Sequence, residues 1–147
     1  LAAHIKRIHI CFQNFRNFHQ GFDVGATASI FIVGDCLAGH EEQFRQLLLL
    51  EGYKVDQLNN DSRSVIDEGL KYVHNDTCYP ALLVIGQLLD AVKNGGYDPH
   101  KVALLITQTG GGCRASNYIH LLRKALEKAG MAYIPVVSVN FSGLEKN

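Results

Sequence analysis

The sequence predicts a three-layer α/β fold built around a mostly parallel sheet. Three observations predict it. Segments rich in β-branched residues alternate with helical patterns along most of the chain, which is how parallel strands joined by crossover helices read. The run from Val102 to Ile106 is continuously apolar, as a strand covered on both faces requires. Glycines stand where the helical patterns stop, at Gly52, Gly95-Gly96 and Gly130.

Residues 1–29 form an N-terminal segment of unclear role. Phe12, Phe15, Phe18 and Phe22 recur at helical spacing, interrupted by Gly21 and Gly25, and read as an apolar face packed on a core. The first strand runs from Ala28 to Val33 and ends in Gly34-Asp35. Glu41 to Glu51 is helical, with Phe44, Leu47, Leu48 and Leu50 apolar. Lys54 to Leu58 is a short strand, and Ser62 to His74 is a helix started by Asp61 or Ser62. Cys78 to Lys93 is a second, very apolar helix with Pro80 in its first turn. After the strand at Val102, an amphipathic helix covers Asn117 to Ala129, and Tyr133 to Val139 is the last strand. There is no internal repeat and no low-complexity linker, so residues 30–147 read as one domain.

Composition bounds the function classes. A chain of 147 residues suffices for one domain that buries roughly 70% of its unfolded surface. Acidic and basic residues balance at 14 each, with no basic block of the kind nucleic acid recruits. No apolar run approaches the roughly 20 residues that span a bilayer. Leu1 to Ile10 interleaves Lys6, Arg7 and two histidines, unlike a signal peptide. Four dispersed cysteines fit a reducing cytoplasm better than a secreted disulfide scaffold. The chain starts at Leu1 and stops at Asn147 soon after a strand pattern, and the expectation is a part of a longer protein.

Two cysteines carry the chemistry. Cys78 opens the apolar helix, in Asn75-Asp76-Thr77-Cys78-Tyr79-Pro80, and Cys113 follows the glycines Gly110, Gly111 and Gly112 after the strand at Val102. Unpaired N–H groups and the helix dipole favour negative charge at a helix start, so a thiol there has a lowered pKa and is a better nucleophile or metal ligand. Soft thiolates select zinc, copper(I) or iron–sulfur clusters. The spacing is too long for a zinc knuckle or a local ferredoxin motif. The triple glycine lets a bulky ligand approach the backbone, and it equally suits a plain strand-to-helix turn or a phosphate cradle. Arg114 adds positive charge beside the Cys113 thiolate, and Asn117 lies about one helical turn on from it.

Other candidates are weaker. In a parallel sheet, ligands bind beyond the carboxyl ends of the strands. Gly34-Asp35-Cys36, Gly110 to Cys113 and Asn140-Phe141-Ser142-Gly143 all follow strands. Cys36 is therefore a candidate third ligand, whereas Cys11 reads as a buried apolar residue. Gly21 to Ser29 is similar to the first phosphate loop of the actin and sugar-kinase superfamily, but the hairpin pattern of that fold does not follow. The seven histidines form no local ligand pair and read as surface or partly buried side chains.

Tyr72 to Gln87, with its Cys-Tyr-Pro-Ala core, and Gln108 to Tyr118, with Gly-Gly-Gly-Cys-Arg-Ala-Ser-Asn-Tyr, together resemble the 2-hydroxyacyl-CoA dehydratase D-component family. The similarity is narrower still to the dehydratase-like part of large CoA-substrate-specific enzyme activases. It runs from about Ile30 to the C-terminus and is strongest from Gly69 to Gly143. The resemblance implies a Rossmann-like domain of anaerobic metabolism holding a 4Fe-4S or double-cubane iron–sulfur cluster. It implies Cys78 and Cys113 as ligands and a third cysteine from a later domain. The implied partners are an ATP-dependent activase, or a fused activase domain, the remaining domains of the dehydratase-like protein, and an acyl-CoA. Dehydratases of the family are lyases that use a low-potential electron to form a ketyl radical. This chain alone reads as an electron-transfer domain rather than a complete enzyme. Two other readings stand beside it: a Rossmann-like module that binds a phosphate or a CoA phosphate at the glycine-rich turn, and a structural docking domain.

Overall fold

The computed structural model describes residues 30–33, 41–50, 53–108 and 117–140. The element order is β1 (Ile30–Val33), α1 (Glu41–Leu50), β2 (Lys54–Gln57), α2 (Arg63–Tyr72), α3 (Tyr79–Asn94), β3 (Val102–Gln108), α4 (Tyr118–Lys128) and β4 (Val136–Asn140). The alternation expected from the sequence is present. The Phe12–Phe22 stripe and the phosphate-loop-like Gly21–Ser29 lie outside the described residues.

The four strands form one sheet in the order β2-β1-β3-β4, and every adjacent pair is parallel. Parallel neighbours need crossover connections, which the helices between the strands supply. Ile30 pairs with both Lys54 and Val102, and Val33 with Gln57 and Leu105. β3 then continues beside β4 as far as Gln108 and Asn140. Among the described residues, β3 thus extends three residues beyond its last pair with β1.

The core follows from the apolar pattern. Val102, Leu104 and Ile106 of β3 pack into one cluster with Ile85, Leu88, Leu89 and Val92 of α3 and with Ile119, Leu122, Ala125 and Leu126 of α4. Ala103 and Leu105, on the opposite face of the same strand, are also buried. Both faces of β3 are thus covered, as its unbroken apolar run requires. Burying one such leucine or isoleucine contributes roughly 1.5–3 kcal/mol. On the other side of the sheet order, α1 contacts β2, and its Leu48 is fully buried.

α3 is buried on nearly every side from Ala81 to Val92, which is why its sequence is apolar all round. It meets α2 at very close range. A Cβ on Gly86 would stand 2.1 Å from the Val65 carbonyl oxygen, and one on Gly69 would stand 2.5 Å from that of Leu82. Only glycine allows this approach. The pairings of Val65 with Gly86 and of Gly69 with Leu82 make the crossing antiparallel in sense.

Element boundaries moved for local reasons. α2 stops at Tyr72 rather than His74, because Val73 turns extended (φ −107°, ψ 137°) and buries its side chain in the core. Ser62 is the N-cap residue of α2 by backbone position, without a side-chain capping bond. β4 starts at Val136 rather than Tyr133, because Pro135 has no N–H to give to a ladder and Tyr133 stacks outward on His100. α4 ends at Gly130 as expected, with φ +74° and its N–H bonded to the Glu127 carbonyl at 3.0 Å.

Candidate functional site at the carboxyl edge of the sheet

The topology defines where a ligand would sit. The chain moves from β1 outward to β2 and then returns past β1 to β3, so the connections diverge between β1 and β3. In open parallel sheets the crevice beyond the carboxyl ends at such a point is where ligands bind. The segments leaving β1 and β3 carry Gly34-Asp35-Cys36 and Gly110 to Arg114. Cys36, Gly110, Gly111, Gly112, Cys113 and Arg114 all lie outside the described residues, as does the segment after Asn140. The adjacency of the strand ends that lead into them is described, and the side chains are not.

Cys78 is described. It is the N-cap residue of α3 (φ −58°, ψ 140°), and its carbonyl accepts the Ala81 N–H at 3.0 Å. Its side chain makes no capping bond to its own helix. Instead Sγ lies 3.1 Å from Oη of Tyr118, across 40 positions of sequence. Tyr118 is the first residue of α4 and is buried, with 6% exposure. Cys78 is half-buried, packs against the core cluster and is not in a disulfide. Because α4 runs back toward the start of the parallel strand β4, its first turn points to the carboxyl edge of the sheet. The hydrogen bond brings the N-termini of α3 and α4 together there.

That geometry has a definite electrostatic sense. The N–H groups of a first helical turn are unpaired and carry the positive end of the helix dipole. Pro80 in the first turn of α3 has no N–H to contribute, and the Ala81 and Leu82 N–H groups bond back to the Cys78 carbonyl at 3.0 and 3.3 Å, so it is the helix dipole that acts on the sulfur. The helix dipole there favours negative charge, and a cysteine sulfur is a soft donor for zinc, copper(I) or iron. Cys78 therefore fits as one ligand of an iron–sulfur cluster by donor chemistry and position. Cys113 lies in the segment that leads directly into Tyr118, the residue that touches Cys78. Among the described residues, no three His, Cys, Asp or Glu side chains come together as a metal site.

Asn117 is the N-cap residue of α4 by position (φ −102°, ψ 0°), is exposed, and makes no side-chain capping bond. The expectation that it shares a helix face with Cys113 concerns a segment outside the described residues. Of the histidines, His74 is exposed beside Asp76 at 3.2 Å, His100 stacks on Tyr133, and His120 is exposed. His4, His9, His19 and His40 lie outside the described residues.

The strongest perturbed ionisable groups form mutually matched pairs. Burial works to raise the Glu68 pKa, but hydrogen bonds and charge from Lys71 and Lys93 outweigh it and hold the carboxyl below its usual value. Burial likewise works to lower Lys93, and its bonds to Glu68 at 2.8 Å and to the Tyr72 hydroxyl at 2.6 Å raise it overall. The Tyr97 hydroxyl, partly buried and bonded to Asp56, is pushed up to about 12. Such reciprocal pairing is structural in character.

The residue that sequence reasoning missed is Tyr118. It closes the second cysteine motif in the sequence, yet no local spacing ties it to Cys78. Comparison with known proteins adds nothing here: no protein-family model, curated protein or solved structure matches the chain. Among the described residues no helix is long and apolar enough to cross a membrane.

Proposed function

We propose that this chain is an iron–sulfur electron-transfer domain of a 2-hydroxyacyl-CoA dehydratase or CoA-enzyme-activase system. In this reading the α/β sheet is the centre of a three-layer, Rossmann-like unit, and Cys78 and Cys113 are two of the cluster ligands. The single observation that supports it is the 3.1 Å contact between Cys78 Sγ and Tyr118 Oη. It joins the helix opened by the first cysteine motif to the last residue of the second.

A bound cluster would supply one-electron transfer at low potential. The work of this chain's own residues is binding and orientation. The two helix N-termini each favour a net negative group by roughly 0.3–1 kcal/mol, more where partly buried. The Tyr118 hydroxyl holds the Cys78 sulfur in one rotamer. Gly110, Gly111 and Gly112 leave room for a bulky group against the backbone, Arg114 adds positive charge, and Asn117 starts the helix behind it. The remaining ligand comes from a later domain of a longer protein or, as a lesser choice, from Cys36. The electron donor is an ATP-dependent activase, separate or fused.

Anaerobic reconstitution with iron and sulfide tests this. The expected result is a broad absorbance at roughly 400 nm, as iron–sulfur thiolate charge transfer gives, lost in both Cys78→Ser and Cys113→Ser. Iron uptake indifferent to both substitutions would remove the proposal. A second reading has its own supporting observation, the divergence of connections between β1 and β3. There the glycine-rich turn would hold a phosphate, or the phosphate of CoA. A rise in melting temperature with CoA or ATP, without iron uptake, favours that reading.

A further inference from the structure

A groove of about 760 Å³ runs along the outer side of α4, away from the Cys78 contact, and its walls combine three kinds of chemistry. His120, Arg123, Lys124 and Glu127 recur at helical spacing and form one exposed stripe, while Ile119, Leu122, Ala125 and Leu126 face the core. The opposite wall is the turn from Ala132 to Val136, where buried Ile134 and half-buried Pro135 supply apolar surface. At the rim, Tyr133 is 47% exposed and held in place by His100, with ring centroids 4.7 Å apart and planes 16° from parallel.

The groove carries two cationic side chains, Arg123 and Lys124, against one carboxylate, Glu127. Among the described residues, neither Arg123 nor Lys124 has a carboxylate partner within salt-bridge distance. Arg123 instead donates to the Val136 carbonyl, across the groove, at 3.5 Å. The chain as a whole carries no net charge, so this is a local basic site rather than a general cationic surface. From the first turn of α4 toward its end, the stripe presents a basic cluster and then a carboxylate. Beyond the helix comes a fixed aromatic ring.

We propose that this groove binds a nucleoside diphosphate. Its phosphates lie against Arg123 and Lys124, which suit a fork donor and a point charge. Its ribose hydroxyls donate to Glu127, as an acidic side chain commonly accepts from ribose. Its base stacks on the exposed half of Tyr133 over the apolar wall. Arg123 and Glu127 stand about 6 Å apart along the helix axis at 1.5 Å per residue, comparable to the reach from a ribose to its diphosphate. This inference does not depend on the reading of Cys78 and Cys113.

Calorimetric titration of the full chain with ADP, with tripolyphosphate and adenosine as parallel titrants, tests it. The expected result is saturable ADP binding. Arg123→Gln with Lys124→Gln weakens it at least tenfold, and Tyr133→Ala weakens ADP but not tripolyphosphate. The three substituted side chains are exposed, and matched thermal melts will show that the fold is kept. The proposal is overturned by the absence of saturable ADP binding. It is also overturned by ADP binding that the double variant leaves unchanged, which would place the phosphate at the glycine-rich turn. Equal affinity for tripolyphosphate and ADP, with Tyr133→Ala silent, overturns it as well, since the groove would then be a charged surface alone.

Discussion

At the crossing of α2 and α3, two helices approach until backbone meets backbone. At the Cys78–Tyr118 contact, the first turns of two helices are joined by a thiol and a phenol. The first region is glycine against carbonyl, with a Cβ excluded at 2.1 Å on Gly86. Beside it lies a polar group that is nearly saturated: Asp90 accepts from Asn60 at 3.1 Å, from Ser64 at 3.4 Å and from Asn94 at 2.8 Å. The second region joins a thiol and a phenol at two helix starts, with Cys78 half-buried and Tyr118 buried. The difference separates the work. Close packing and matched polar groups hold the loop after β2 and α2 onto α3, whereas the Cys78–Tyr118 contact sets two polar side chains at helix N-termini, whose dipoles favour negative charge.

The largest expected effect is at the crossing. Gly86→Ala should destabilise the fold by about 3 kcal/mol, because the added methyl meets a backbone oxygen that cannot swing away. At an ordinary helical site the same change stabilises by roughly 1 kcal/mol. The sign in a denaturant titration therefore decides whether the approach is real. Next, Asp90→Ala should cost about 2 kcal/mol, because it strips three donors of their acceptor in a site that is 8% exposed. Asn60 is the sensitive partner, since its Oδ1 is already buried without a hydrogen bond among the described residues. A loss under half that size would mean that the network is looser than its distances indicate.

Tyr118→Phe should cost about 1 kcal/mol or less, the net worth of one hydrogen bond. If it instead unfolds the chain, the contrast between the two regions is wrong. The smallest effect is that of acid on the Glu68 pairs. The folded carboxyl lies below its ordinary value of 4.5, so its contribution is fully present above that pH. It is lost as pH falls through the folded value. In Glu68→Gln that part of the acid dependence of the melting temperature should disappear.

Much of the fold was legible because apolar periodicity and turn residues agree along the chain. Val102 to Ile106 announced a doubly covered strand, and Gly130 announced the end of α4. Boundaries slipped where tertiary contacts took over, as at Val73 and Tyr133. The character of α3 was legible, but not the burial of its polar members. Gln87 and Asp90 are inside because Asn60, on the loop after β2, reaches over to meet them. The candidate site was legible as two motifs and not as a contact. The partner of Cys78 comes from 40 positions away, and only the return of the chain past β1 brings it there.

The last residues of β3 have a consequence of their own. Among the described residues the register between β1 and β3 runs to Val33 and Leu105, and β3 continues for Ile106, Thr107 and Gln108 along β4. Those residues span about 10 Å at roughly 3.3 Å per residue. Leu104 donates its N–H to the Pro135 carbonyl, on the β4 side, so by the alternation of a strand Ile106 and Gln108 also turn to β4, and Thr107 turns its N–H and carbonyl to the β1 side. Those two groups require a partner there, chain or ligand, and it is met by main-chain atoms. Amide exchange at Thr107 would report its arrival.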